Sequence, residues 1–224
     1  MQHWLTGTWS VLAKDIQLEF RTRYALNLLL MFVVSSVFVV ALGIGRDVVT
    51  PGVKAGLLWI VVFFSAAIGL GRSFVSEEES GTSLILRMNV RGSMVYVGKF
   101  LFNYLLLLAV DVVTTLGFVL LLNLDVAQAG LLALVLALGS LGLAGATTLL
   151  SAIIARASNR GPLLPVLAFP VLFPLLMTVV PAAVAALEGG GSWASAAGDL
   201  RVIIAFAGTV ITGAILLFDY IWED

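Results

Sequence analysis

The densest cluster of ionisable groups in the sequence is Glu77-Glu78-Glu79, framed by Ser76 before it and Ser80-Gly81-Thr82 after it. Ser76 followed three residues later by Glu79 has the spacing of a capping box, in which a hydroxyl caps a helix start and the acid reaches back. The three carboxylates would then occupy the first helical turn, where the helix dipole favours anions. Gly81 lets the backbone turn or another chain approach closely. Leu84, Ile85, Leu86 and Met88 follow as an apolar patch, and Arg87, Arg91 and Lys99 are expected to hold the far end at the headgroups. The chemistry of this pattern is docking: a short amphipathic helix over residues 76–88 that meets a soluble partner. An ordinary solvated loop is the alternative reading.

Other chemistry-bearing residues are few. Asp111 stands in an apolar run with Asn103, Thr114 and Thr115 on the same helix. An Asp at the centre of a membrane helix costs roughly 2.5–3.5 kcal/mol on insertion scales, so a partner or water is expected. Either it lines a polar cavity or forms a conformational latch, or it packs against another subunit or is protonated. His3 is the only histidine. Histidine commonly holds heme iron, but this one stands in a chain terminus, where order is poor, and is not read as a ligand. Met31, Met94 and Met177 read as packing residues. With no cysteine, disulfides, zinc-thiolate sites and thiol nucleophiles are excluded. No catalytic constellation and no metal cluster stands out, and Gly-x-x-x-x-Gly-Lys-Ser/Thr is absent. The chain is therefore not expected to be an enzyme by itself: any ATP-driven work needs a partner.

These residues are positioned by a chain of 224 residues that is 61% hydrophobic and only 11% charged, with mean hydropathy +1.11. A soluble domain would carry about 25% charged residues. The charges cluster and leave uncharged runs of 17 residues or more, enough for membrane helices of about 17–25 residues. Six runs stand out: Leu26–Gly45, Ala55–Gly71, Phe100–Leu124, Val126–Ala155, Gly161–Leu187 and Val202–Phe218. Helices are required because backbone groups in lipid must be satisfied within the segment. Nine Lys and Arg fall on one side of these runs and three on the other, which predicts both termini and the Glu77–Glu79 segment in the cytoplasm. The first run is too long, and begins too late, for a cleaved signal. The net charge of −1 gives no sign of nucleic-acid binding.

Trp9, Leu12, Ile16, Phe20 and Tyr24 form one apolar stripe at helical spacing, which predicts an interfacial helix over residues 1–25. A plain helical start to the first span is the alternative. Glu19 and Arg23 form an i,i+4 pair. Five of the six prolines, Pro162, Pro165, Pro170, Pro174 and Pro181, fall in the fifth run. That run is expected to kink, at Pro170 and Pro174 above all, or to break into pieces with part of it re-entrant. The loop Glu188–Trp193 that follows is glycine-rich, and Trp193 is placed at the outer interface. Ser65/Gly69, Ala67/Gly71, Ser140/Ala144 and Gly142/Ala146 mark expected helix contacts. No repeat is evident, and one membrane domain spans 1–224.

Glu78-Glu79-Ser80-Gly81-Thr82, placed after the second of six spans, resembles the Arg/Glu-Glu-x-Gly-Thr segment of ABC exporter permeases. The chain as a whole resembles the heme exporter B family, CcmB, of cytochrome c maturation. The resemblance runs from about Trp9 to the sixth span and includes Arg72–Thr82 with its Arg-x-Phe opening. It also includes Gly98-Lys99, and Arg160-Gly161-Pro162-Leu163-Leu164 followed by Pro170-x-x-x-Pro174-Leu175-Leu176. Ser83-Leu84 and Val90 depart from the family's pattern.

The resemblance implies an all-α integral membrane protein of the type V-like ABC exporter permease fold, with residues 72–99 as the coupling segment. Ser76, Glu77, Glu78, Glu79, Gly81, Thr82 and Leu84 would then meet a CcmA-like ATPase. It further implies a second copy of the chain and heme-handling membrane partners (CcmC-like, CcmD-like and CcmE-like) in a bacterial inner membrane. Heme would reside in partner proteins, and ATP and magnesium in the ATPase. Another cargo (lipid, glycan or drug) and a non-transporting scaffold are the alternative functions.

Overall fold

The apolar runs close their backbone hydrogen bonds internally, as lipid demands, and the punctuation between them sets the helix ends. The computed structural model describes residues 2–45, 47–70, 74, 77, 81, 90–155 and 163–223. In it the chain forms α1 (Gln2–Thr22), α2 (Tyr24–Ile44), α3 (Pro51–Gly69), α4 (Gly92–Leu122), α5 (Ala129–Ala155), α6 (Leu163–Leu187) and α7 (Trp193–Glu223). Six helices, α2 to α7, are long and apolar enough to cross a membrane. No strand occurs among the described residues.

α1 is separate from the first span. The break falls at Arg23, whose backbone is left-handed (φ 52). Glu19 does not turn to Arg23 as its i,i+4 spacing predicts. Its carboxylate accepts from the backbone N–H of Ala25 (3.3 Å) and Leu26 (2.7 Å), capping the free N-terminal donors of α2. Leaving the helix at Thr22 carries Arg23 off the α1 surface. The predicted stripe is likewise split. Thr8, Val11, Leu12 and Asp15 are buried, while Trp9, Phe20 and Tyr24 are exposed. Close approach of α1 to α4 depends on Gly98, where a Cβ would stand 2.8 Å from Val11.

Several helices outrun their uncharged cores. α3 begins at Pro51, with Thr50 Oγ1 accepting from Val53 N (3.4 Å). The Lys54 ammonium donates to Asn123 O (2.8 Å) at the end of α4, where the helix dipole favours a cation. α4 begins at Gly92 rather than Phe100. Its first turn is capped from α7: Ser93 N donates to Asp219 Oδ1 (2.7 Å). α7 begins at Trp193 rather than Val202, capped by Ser192 Oγ accepting from Ser195 N (3.2 Å). Charged residues stopped the apolar count before they stopped the helix.

The fifth run is one helix over Leu163–Leu187, not a set of pieces, despite Pro170, Pro174 and Pro181 inside it. All three prolines lie on its exposed face, while Ala168, Leu172, Leu175, Val179, Ala182 and Ala186 are buried. The missing N–H groups therefore fall away from the packed side, which stays continuous. Pro162 lies outside the described residues, as does the side chain of Pro165. The Glu188–Trp193 loop is pinned. Gln128 donates through its side chain to Gly191 O, and Gln128 N donates to Ala186 O (2.9 Å). Trp193 is exposed at this end.

α5 is the central helix, packed against α4, α6 and α7, while α3 contacts α2, α4, α6 and α5. Its small residues serve as predicted. Gly142 faces Leu175 and Phe206, and Gly145, which the spacing does not single out, faces Ile211 and Tyr96. Gly69 of α3 seats Leu29 of α2; Gly71 lies outside the described residues.

Candidate functional site

The segment joining α3 to α4 carries the predicted docking residues. Ser76, Glu78, Glu79, Thr82 and Leu84 lie outside the described residues. Gly81 is left-handed (φ +69), and nothing lies within 4 Å of where a Cβ would stand, so its conformation rather than crowding favours glycine. Glu77 differs from an outward docking residue: it is 7% exposed and faces the helices.

There it enters a buried charge box. Lys99 of α4, 2% exposed, donates to Glu77 Oε1 (3.0 Å) and to Asp15 Oδ2 of α1 (3.2 Å). Lys14 pairs with Glu77 and with Asp15 Oδ1 (3.2 Å). Two ammonium groups thus face two carboxylates, satisfying the rule that buried charges are paired. This corrects the placing of Lys99 at the headgroups: its two carboxylate partners lie inside, so the side chain turns inward. Burial alone would push the Lys14 ammonium down, but the Asp15 charge and the Glu77 hydrogen bond outweigh it and raise it above its ordinary value. A cavity of about 470 Å³ adjoins the box, lined by Asp15, Glu77, Lys99 and Asn103.

Beside the box is an aromatic socket. Phe74 packs its ring 5.5 Å from Phe218 and 5.8 Å, edge-on, from Trp222 of α7. Tyr96 continues the stack 5.2 Å from Phe218 and donates to Gly145 O of α5 (3.1 Å). The Phe74 N–H donates to Ser151 Oγ of α5 (3.2 Å), and the Lys99 ammonium lies 5.3 Å from the Phe74 ring centre, within cation–π range. Phe74 and Glu77 are thus two fastenings on one segment: the first reaches α5 and α7, the second α1 and α4.

Asp111 is buried on α4, 4% exposed, and its Oδ2 accepts from Ser140 Oγ of α5 (2.7 Å). Asn103 does not assist it; its amide donates to Thr148 Oγ1 (2.8 Å). Among the described residues Asp111 Oδ1 and the hydroxyls of Thr114 and Thr115 have no hydrogen-bond partner. The side chain of His3 lies outside the described residues, and no metal-holding group occurs among those described. Met177 is exposed.

Sequence reasoning missed Asp15, Lys14, Phe74 and Asp219 as structural partners. One signal was present: Asp15 follows Thr8, Val11 and Leu12 at steps of three and four, so it shares their buried face.

Six long apolar helices, α2 to α7, mark a multi-pass membrane protein. Residues 6–219 match the model of the family described as CcmB protein, and this chain belongs to that family. It is a membrane permease of the heme-exporter ABC class, associated with cytochrome c biogenesis. No curated protein matches the chain.

Proposed function

We propose that this chain couples the nucleotide-driven motion of a CcmA-like ATPase to its membrane helices during heme trafficking for c-type cytochromes. It works in a bacterial inner membrane with both termini in the cytoplasm and beside a second copy of itself. Heme, ATP and magnesium are held by its partners, which include CcmC-like, CcmD-like and CcmE-like proteins. The family supports the setting, and the nine-to-three distribution of Lys and Arg supports the orientation.

The observation that carries the mechanism is the double fastening of the coupling segment. A push on residues 76–88 reaches α5 and α7 through Phe74, and α1 and α4 through Glu77. Ser76, Glu78, Glu79, Gly81, Thr82 and Leu84 supply the outward contact in this reading.

The test separates docking from transmission. Replacing Glu78 and Glu79 by Lys and Gly81 by Ala should abolish co-purification of the ATPase and cytochrome c maturation together. Phe74→Leu should leave the ATPase bound but weaken maturation. Normal ATPase binding and normal maturation in the triple variant would reject the proposal.

A further inference from the structure

We propose that the elbow between α1 and α2 binds an anionic phospholipid of the surrounding bilayer, its phosphate on Arg23 and one acyl chain in the groove against α4. The groove has a volume of about 550 Å³, and Phe102, Leu105, Leu106 and Ala109 form its α4 wall. Glu19, Arg23 and Asn27 are its polar lining residues. An occupant of such a groove must be mostly apolar with a polar end, as a lipid is.

The sign of the polar end follows from the local charges. Arg21 and Arg23 are both exposed at the elbow. Glu19, the acid nearest to them in sequence, gives both carboxylate oxygens to the N–H groups of α2. Asp15 and Glu77 are held by Lys14 and Lys99. Among the described residues no carboxylate pairs with Arg23. The elbow therefore carries two guanidinium groups against the one carboxylate of Glu19, a net positive charge beside a mostly apolar groove.

The backbone adds an independent observation. Arg23 has φ 52 and ψ 24, a conformation that glycine or asparagine adopts more readily. A strained residue of this kind points toward a role for its side chain. The strained residue places in the groove lining a side chain whose guanidinium matches phosphate oxygens in a fixed fork.

The experiment uses the full chain in vesicles doped with phosphatidylglycerol or phosphatidylethanolamine, each carrying a photoreactive group on one acyl chain. Labelling should fall on residues 102–109 of α4 and favour phosphatidylglycerol. Arg23→Gln should reduce that labelling about fivefold, the effect of one basic residue near an anionic surface. Arg23→Gly relieves the backbone, so it should keep the fold yet show the same loss. Equal labelling by the two lipids, or unchanged labelling in Arg23→Gly, overturns the proposal. The chain has no cysteine, so Leu105→Cys reports the competing occupant. Disulfide-linked dimers through Cys at that position, with no lipid labelling, would assign the groove to a second copy and likewise overturn it. Neither outcome bears on the ATPase coupling.

Discussion

Two buried charged positions on α4 are handled in opposite ways. Lys99 meets two carboxylates and an aromatic face. Asp111, about 18 Å further along the same helix at 1.5 Å per residue, meets one hydroxyl. The difference lies in what each holds. The box ties the segment between α3 and α4, through Glu77, to α1 and α4, two helices that themselves pack closely across Gly98. The Asp111–Ser140 bond joins α4 and α5, which already pack closely along their length. A fully compensated cluster adds a polar fastening at Glu77 to the aromatic one at Phe74. A single polar bond only adds register to helices that are already docked.

The largest expected effect comes from breaking the box. Lys99→Ala leaves two buried carboxylates facing only Lys14, and should cost about 3–5 kcal/mol, read as a fall in thermal unfolding temperature in detergent. Replacing Lys99 by Met and Glu77 by Leu together should cost far less, because the Lys14–Asp15 pair survives and no buried charge is orphaned. If the single and double variants were equally unstable, the box would not be acting as a compensated unit.

A smaller effect is expected at the sparse site. Ser140→Ala removes the one partner of Asp111 and should cost about 1–3 kcal/mol. Asp111→Asn keeps an acceptor for Ser140 and should cost less than Ser140→Ala in the same melting assay. A cost for Ser140→Ala exceeding that of Lys99→Ala would reverse the ranking of the two regions.

The smallest effect belongs to Lys14, whose side chain is 41% exposed. Its ammonium is raised above the ordinary 10.5, so its contribution is complete below that pH and is lost as pH climbs through the higher folded value. Melting temperature should therefore show no Lys14-dependent change between about pH 6 and 9, where the group stays charged in both states. Above about pH 10.5 a decline should appear that Lys14→Gln lacks. A Lys14-dependent step near neutrality would refute the assignment.

The membrane helices were legible from apolar runs, because a span needs little beyond length and the absence of charge. Their ends were not. Lys54, Lys99 and Arg201 stopped the count, yet each lies inside a helix, and Lys54 and Lys99 have partners from distant segments. Glu77, Glu78 and Glu79 look alike in sequence, and only the fold turns Glu77 inward. Arg23 read as the continuation of a helix, since nothing local marks a left-handed residue that is neither glycine nor asparagine.

Composition and spacing alone determined that this chain crosses the membrane with six helices, lacks its own phosphate loop and carries a charged segment between its second and third spans. Those properties depend on summed hydropathy and local order, which a linear sequence contains. The inward turn of Glu77, the break of α1 from α2, and the hydroxyl that meets Asp111 were decided only by the tertiary structure. Each depends on the relative placement of segments distant in sequence, or on a local choice that such placement makes affordable.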